Sequence, residues 1–232
     1  MKIIINADDF GYTKANTEGI IEGYKKGIIK STTALMNMSY IEYGEKIAAG
    51  CSNLGIGVHL VLTLGKSLTE NKTLTDKDGN FFNRKEIINH KLDLQEIYLE
   101  FKAQIERYIK IFGHKPSHLD SHHGMHDYGN HYTVVKRLSE EYDLLVRNHN
   151  QFHFVTEFYG SNVSQESFIF LLDKYKDKDI EIMTHPGYCD LELYRKSSYS
   201  VQRIKELDIL CSQEVKDYIN SHNIIITNYL GK

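Results

Sequence analysis

Asp8 and Asp9 stand side by side near the start of the chain, and His59 is alone in the apolar segment Gly57-Val-His-Leu-Val-Leu62. Further on, His118-Leu-Asp-Ser-His-His-Gly-Met-His126 crowds histidines around Asp120, and Arg147 and His185 (in Met183-Thr-His-Pro-Gly187) follow singly. These residue types suit metal chemistry. A neutral imidazole binds a divalent transition metal through one nitrogen while a carboxylate or carbonyl orients the other. One Asp and two His drawn from separate segments would make a mixed oxygen–nitrogen site with positions left for water and substrate, as a catalytic metal requires. Such a set suits Zn, Mn, Fe or Co, and Mg less comfortably. Two neighbouring carboxylates beside a cation can divide their labour, one as ligand and one as base. His185, restricted by Pro186 and followed by Gly187, suits a further ligand, a general acid or a turn residue. The fork of Arg147 suits Asp8 or another carboxylate, and equally a purely structural ion pair.

Each piece also has a plainer reading. Taken alone, Asp8-Asp9 reads first as a capped turn, and His59 as a hydrogen-bonded core histidine. His114, His118, His122 and His126 are spaced by four, which would stack them on one helix face, but Pro116 and Gly124 interrupt that helix and favour a strand followed by a loop. A histidine-rich surface tract would bind metal adventitiously.

Position decides between these readings. Strands are expected at 2–6, 32–38, 55–62, 117–120, 144–147, 152–158, 180–184 and 224–227, and helices at 15–26, 41–49, 94–112, 132–142, 164–176 and 201–219. Ile20, Ile21 and Tyr24 share a face of the first helix, with Gly27 placed to end it in a left-handed turn. Leu94, Ile97, Phe101, Ile105, Tyr108 and Phe112 stripe the third, and Val201, Ile204, Leu207, Cys211, Val215 and Tyr218 the last. Seven or eight strands mostly separated by helices imply a parallel sheet; eight units close a barrel and irregular ones leave it distorted or open. The fold expected is therefore α/β, an irregular (β/α) TIM-like barrel of parallel strands with outer helices. An open doubly wound sheet is the alternative, but no G-x-G-x-x-G follows the first strand and no phosphate-binding loop motif occurs. Nearly every candidate falls at the C-terminal end of a strand, and in a parallel barrel those ends form one rim.

Residues 63–89 break the alternation and are long enough for a lid or binding loop. Asp76-x-Asp78-x-Asn80 looks like a calcium loop, but Phe81 replaces the required Gly and Ile87 the required Glu, so a polar turn is expected. Phe81 and Phe82 suit packing beneath this loop better than stacking on a ligand.

Composition narrows the class. A length of 232 residues suits one domain, and the net charge of −3 argues against a general grip on nucleic acid. No apolar run nears the roughly 18 residues of a membrane span, and the N-terminus does not read as a secretory signal. Three cysteines without metal spacing read as reduced thiols of a cytoplasmic protein.

Ile5-Asn-Ala-Asp-Asp-Phe-Gly11, Ser31-Thr-Thr-Ala-Leu35, Gly57-Val-His-Leu-Val-Leu-Thr63, His118-Leu-Asp-Ser-His-His123 and Met183-Thr-His-Pro186 together resemble the YdjC/ChbG family of carbohydrate deacetylases, in order and over nearly the whole chain, with Glu206-Leu-Asp208 near the end. Leu62-Thr-Leu-Gly-Lys66 and Lys115-Pro-Ser-His-Leu-Asp-Ser-His122 are most like the chitin disaccharide deacetylase branch. The resemblance implies one deacetylase domain over 1–232, with a lid-like loop at 63–89. It implies removal of an N-acetyl group from an amino sugar, such as diacetylchitobiose, by metal-activated water. It implies Asp9, His59 and His122 as metal ligands, Asp8 as base and His185 as general acid; Arg147, Asp120 and His126, by their positions, are candidates for supporting roles. It also implies one divalent ion (Mg by resemblance, with Zn, Mn or Co chemically apt) and a homodimer acting on a small sugar, with neither nucleic acid nor membrane as partner. Gly124 departs from the pattern, standing where the family run has a third consecutive histidine, and Ser67 stands where the branch often has proline. Rival readings are a phosphoesterase-type metal hydrolase on the same rim, which would need more basic residues than Arg147, and a non-catalytic metal- or sugar-binding relative.

Overall fold

The computed structural model describes Met1–Lys232. The elements run β1 (Lys2–Phe10), α1 (Lys14–Lys26), β2 (Ser31–Ala34), α2 (Ile41–Ala48), β3 (Gly55–Leu60), α3 (Leu94–Phe112), β4 (His118–Ser121), α4 (His131–Tyr142), β5 (Leu145–Val146), β6 (His153–Val155), α5 (Gln165–Lys174), β7 (Ile180–Thr184), α6 (Leu191–Lys196), α7 (Gln202–Cys211), α8 (Gln213–Ser221) and β8 (Ile225–Thr227). Every strand pairing is parallel, in the order β5-β4-β3-β2-β1-β7-β6, with β8 against the first residues of β1. The curled sheet stays open between the short strands β5 and β6, so the expected TIM-like barrel is present and incomplete.

Strand alternation sorts the side chains into two environments. Ile3, Ile5 and Ala7 of β1, Val58 and Leu60 of β3, and Ile180 and Ile182 of β7 join a core of 49 buried residues shared with the helices. On the other face Ile4 forms only a small cluster with Phe152 and Tyr229. Most of the rest of that inner face is polar and buried: Asn6, Asp8, Thr33, His59, Asp120 and Glu181. Such a layer survives only where its members satisfy one another, and they do so below.

Helix starts follow from local chemistry. Thr13 caps α1 through Asn16 N, Asp93 caps α3 through Gln95 N and Glu96 N, and Ser164 caps α5 through Ser167 N. Several expectations need correction. Gly27 is extended (φ −112°) rather than left-handed; a Cβ there would lie 2.5 Å from the Leu210 carbonyl oxygen, so the close approach of that backbone explains the glycine. The helix expected over 201–219 breaks at Ser212, which ends α7 and caps α8 through Val215 N. Its expected apolar stripe holds at Leu207 and Val215, which are buried, but fails at its start: Val201 and Ile204 are exposed, whereas Arg203, Glu206, Ile209 and Leu210 are buried. The short helix α6 was not expected.

The loop at 63–89 is tied down along its length. Glu100 of α3 accepts from Leu68 N, Thr69 N and Thr69 Oγ1, and Glu96 accepts from Lys72 N, Thr73 N and Thr73 Oγ1. Phe81 is buried and Phe82 stacks on His90, so both rings pack, as expected. Asp76 Oδ1 accepts from the backbone of Asp78 and Asn80, the expected polar turn. No helix is long and apolar enough to cross a membrane.

Candidate active site

The sequence places Asp8 and Asp9 just past the first strand. They lie instead inside β1, where the register with β2 shifts between Ala7 and Phe10. Asp9 takes a left-handed conformation (φ 72°) at this irregularity. In a regular strand neighbouring residues face opposite sides; the distortion lets both carboxylates reach one cavity. An L residue at positive φ costs about 1 kcal/mol, offset here because the Asp9 carbonyl accepts from Tyr12 N at 3.1 Å and Asn16 Nδ2 at 3.0 Å.

Arg147, just past β5, organises the interior. Its Nη1 donates to Asp8 Oδ2 at 2.8 Å and contacts Asp120 Oδ2 at 2.9 Å, its Nη2 donates to Asp8 Oδ1 at 2.7 Å, and its Nε donates to Glu181 Oε1 at 2.7 Å. Asn6 Nδ2 donates to Asp8 Oδ1 at 2.8 Å, and Tyr229 donates to the other oxygen of Glu181. Phe154 of β6 lies 5.1 Å from the guanidinium, so Arg147 links β5, β1, β7 and β6 across the open side of the barrel. Burial disfavours the cation, but Asp120, Asp8 and Glu181 outweigh it and hold the guanidinium firmly protonated.

Beside this cluster, Asp9 Oδ1 lies 3.3 Å from His59 Nε2 and 3.0 Å from His122 Nδ1. The three donor atoms lie within 4.8 Å of one another. His59 is aimed by its other nitrogen, which donates to Asp120 Oδ1 at 2.7 Å, and Thr33 donates to Asp120 Oδ2 at 2.9 Å. This is the outer-shell carboxylate that fixes the tautomer of a metal-binding imidazole. Arg203 of α7 donates to the second Asp9 oxygen at 2.6 Å, leaving Oδ1 for the histidines. Burial raises the Asp9 pKa, but Arg203 and His122 outweigh it and hold the carboxyl well below its ordinary range. Burial lowers the His59 pKa, yet Asp120, Asp9 and Asp8 raise it to about 10. A pocket that favours a proton on His59 so strongly favours positive charge, and a divalent ion would take that role. The donor set fits one divalent ion on Asp9, His59 and His122. Asp8, His59 and Asp120 meet the same spacing, but the charge there is already supplied by Arg147.

His185 follows β7 across the cleft. The turn that carries it packs closely against α1: a Cβ on Gly19 would lie 2.4 Å from the backbone nitrogen of Tyr188, and one on Gly187 would lie 2.3 Å from the side-chain oxygen of Asn16. His185 N donates to Glu206 Oε2, and Tyr199 donates to the other Glu206 oxygen. Burial lowers the His185 pKa to about 4 against the pull of Asp8 and Asp9, so the ring is neutral at neutral pH. Its Nδ1 is buried without a partner. Burial also raises Glu206 to about 7.

These groups line one cleft of about 750 Å³. It brings together Asp8, Asp9, His59, His122 and His185, five residues drawn from four strand ends. Arg147 and Asp120 lie behind its wall. His126 does not line it: its Nδ1 bonds Ser121 Oγ, and its Nε2 faces Asp127 at 3.4 Å. The histidine run is a strand followed by a 3₁₀ turn with a left-handed kink at His123 and Gly124, rather than a helix. Asn6, Thr33, Glu181, Arg203, Tyr159 and Tyr199 were not singled out from the sequence. Arg203 and Glu206 had a readable signal, a charged i, i+3 pair on a helix whose other charges fall elsewhere.

A family model described as YdjC-like protein matches residues 2–221. A carbohydrate deacetylase of Clostridium beijerinckii is 38% identical, the alignment covering 99% of both chains. A chitooligosaccharide deacetylase of Escherichia fergusonii is 34% identical over 98% of each. Among solved structures, an Enterococcus faecalis V583 protein described as a cellobiose-phosphate cleavage protein superposes with a TM-score of 0.93 at 36% identity, covering 99% of this chain and 97% of that one. With its motifs, its fold and these relatives in agreement, the chain belongs to the YdjC-like family.

Proposed function

We propose that this protein is a metal-dependent deacetylase that hydrolyses the N-acetyl group of an amino sugar, with a short chitooligosaccharide such as diacetylchitobiose as substrate. The observation that carries this reading is the pairing, in one cleft, of an Asp9–His59–His122 donor set with an Arg147-held carboxylate at Asp8 and a histidine at His185. The relatives named carbohydrate deacetylase and chitooligosaccharide deacetylase support it.

Asp9, His59 and His122 would hold the ion, which when bound supplies Lewis acidity toward the acetyl carbonyl and lowers the pKa of water. Asp8 takes the proton of the attacking water; Arg147 and Asn6 fix its orientation so that no reorganisation is needed at that moment. His185 hands a proton to the leaving amine. The ring is neutral at rest, so the proton it delivers is one it takes up during the reaction, from the water proton that Asp8 has drawn off. Segment 63–89 contributes Asn83, Arg84 and Lys85 to the cleft, consistent with a cover over a single domain spanning 1–232. A cytoplasmic homodimer belongs to the same proposal, and light scattering reads the dimer directly.

The rim favours a finer reading of the substrate. Arg84 and Lys85 are exposed at the cleft and form no salt bridge. They suit a sugar carrying an anionic group, in keeping with the phosphate named for the Enterococcus faecalis relative. The test is acetate release from N,N′-diacetylchitobiose and from its phosphorylated form. Release from either supports the deacetylase reading, and a lower KM for the charged sugar that rises with salt supports the rim. Folded, metal-loaded protein that releases acetate from neither contradicts both.

A further inference from the structure

We infer that Tyr159 is the stacking platform for the sugar ring whose amine leaves, and so sets what the cleft accepts on that side. Tyr159 follows β6 on the rim and lines the cleft. One face of its ring stacks on Tyr199, with centroids 4.4 Å apart and planes 11° from parallel. The side chain is nevertheless 45% exposed. A planar ring covered on one face and this open has its other face turned to solvent, and that face lies over the cleft.

The platform is fixed in place from behind. Tyr199 is buried, donates to Glu206 and accepts from Gly160 N at 3.4 Å, so one hydroxyl ties the Tyr159 loop to α7. Glu206 also accepts from the backbone of His185. His185 meets both stacked tyrosines edge to face, 5.5 Å from Tyr159 and 5.4 Å from Tyr199 between centroids. His185 and Tyr159 line the same cleft, so a sugar lying on Tyr159 occupies the cleft that holds the imidazole which protonates its amine. A pyranose with equatorial substituents presents a flat patch of axial C–H bonds, which an aromatic face covers without requiring directional hydrogen bonds. The ring of Tyr159 carries the binding, and its hydroxyl, which makes no hydrogen bond, does not. Because the platform is held before the sugar arrives, little ordering entropy opposes binding.

The inference uses the deacetylase reading for the role of the leaving sugar, and the test separates the two. Binding of chitobiose, the glucosamine disaccharide that has no acetyl group to lose, is measured by calorimetry on metal-loaded wild type, Tyr159→Ala and Tyr159→Phe. Acetate release from diacetylchitobiose is followed on the same proteins, and thermal melting confirms that they are folded. Tyr159→Ala is expected to weaken binding and raise KM about tenfold with kcat little changed, and Tyr159→Phe to stay within about twofold of wild type. Unchanged binding in Tyr159→Ala, a loss in kcat alone, or no binding by wild type would overturn the platform. Binding that depends on Tyr159, without acetate release by any of the proteins from diacetylchitobiose or its phosphorylated form, would keep the platform and remove the deacetylase reading.

Discussion

Arg147 grips the Asp8 carboxylate with both terminal nitrogens, at 2.8 and 2.7 Å, while its third nitrogen is held by Glu181. A forked contact fixes a carboxylate plane as a single ammonium cannot. All the partners are buried, so the arrangement has few ways to relax.

Removing that fork should cost both stability and rate. Arg147→Ala leaves Asp8, Asp120 and Glu181 facing one another without a cation, and breaking a buried pair of this kind costs about 3–5 kcal/mol. Arg147→Lys keeps the charge and loses the bidentate geometry, so it should fold better and still turn over more slowly than wild type. Urea denaturation together with kcat separates the two effects. Wild-type kcat in Arg147→Lys would show that the orientation of Asp8 does not matter.

Asp120 touches no substrate in this account but aims His59 at the metal site. Asp120→Asn should weaken divalent-ion affinity by about 10–100-fold, with kcat largely recovered at saturating metal. Competition with a fluorescent chelator measures the first, and a metal titration of activity the second. Unaltered affinity would mean that His59 is oriented by Thr33 alone.

Several buried histidines make the fold acid-sensitive. Burial lowers His118 to about 3 and His185 to about 4. Below pH 6.5 the unfolded chain binds protons at these sites while the folded chain does not, so stability falls as pH drops from about 6.5 toward 3, by a few kcal/mol for a fully buried ring. His59 works in the opposite direction, since its pKa is raised to about 10 and its contribution is lost only as pH rises through that value. Replacing His118, which stacks on Tyr229 at 3.7 Å, with Phe keeps the ring and removes the proton. The slope of unfolding free energy against pH between 3 and 6.5 should therefore flatten. An unchanged slope would assign the acid sensitivity to other groups.

The His185 turn depends on the absence of a side chain at Gly19. Gly19→Ala puts a Cβ against the Gly187–Tyr188 backbone, which must move. A stability loss of about 1–3 kcal/mol is expected, with a fall in kcat larger than any change in KM because the proton donor shifts. Wild-type kinetics would show that the turn yields without moving His185.

The parallel barrel was legible because hydrophobic periods and strand-ending polar residues repeat along the chain, and the rim argument brought Asp8, Asp9, His59, His122 and His185 to one cleft. The polar inner face was not read. Thr33, His59, Asp120 and Glu181 lie on strands too short for period two to stand out, and in the longer β1 the pair Asp8-Asp9 breaks the alternation begun at Asn6. The Arg203–Glu206 pair was legible but outweighed by Val201 and Ile204, which suggested an apolar face that solvent takes instead. Tyr159 lies in an irregular segment whose position only the tertiary structure sets. The local distortion that turns Asp9 inward has no sequence mark apart from the pair itself.

The most direct test compares acetate release from N,N′-diacetylchitobiose, with and without chelator and after metal is restored, for wild type, His122→Ala and Asp8→Asn. The account predicts release by wild type that chelation stops and metal restores. It predicts little bound metal in His122→Ala. It predicts a metal-retaining Asp8→Asn slowed by about 10²–10⁴-fold. Release that survives chelation, or an Asp8→Asn variant as fast as wild type, would contradict it.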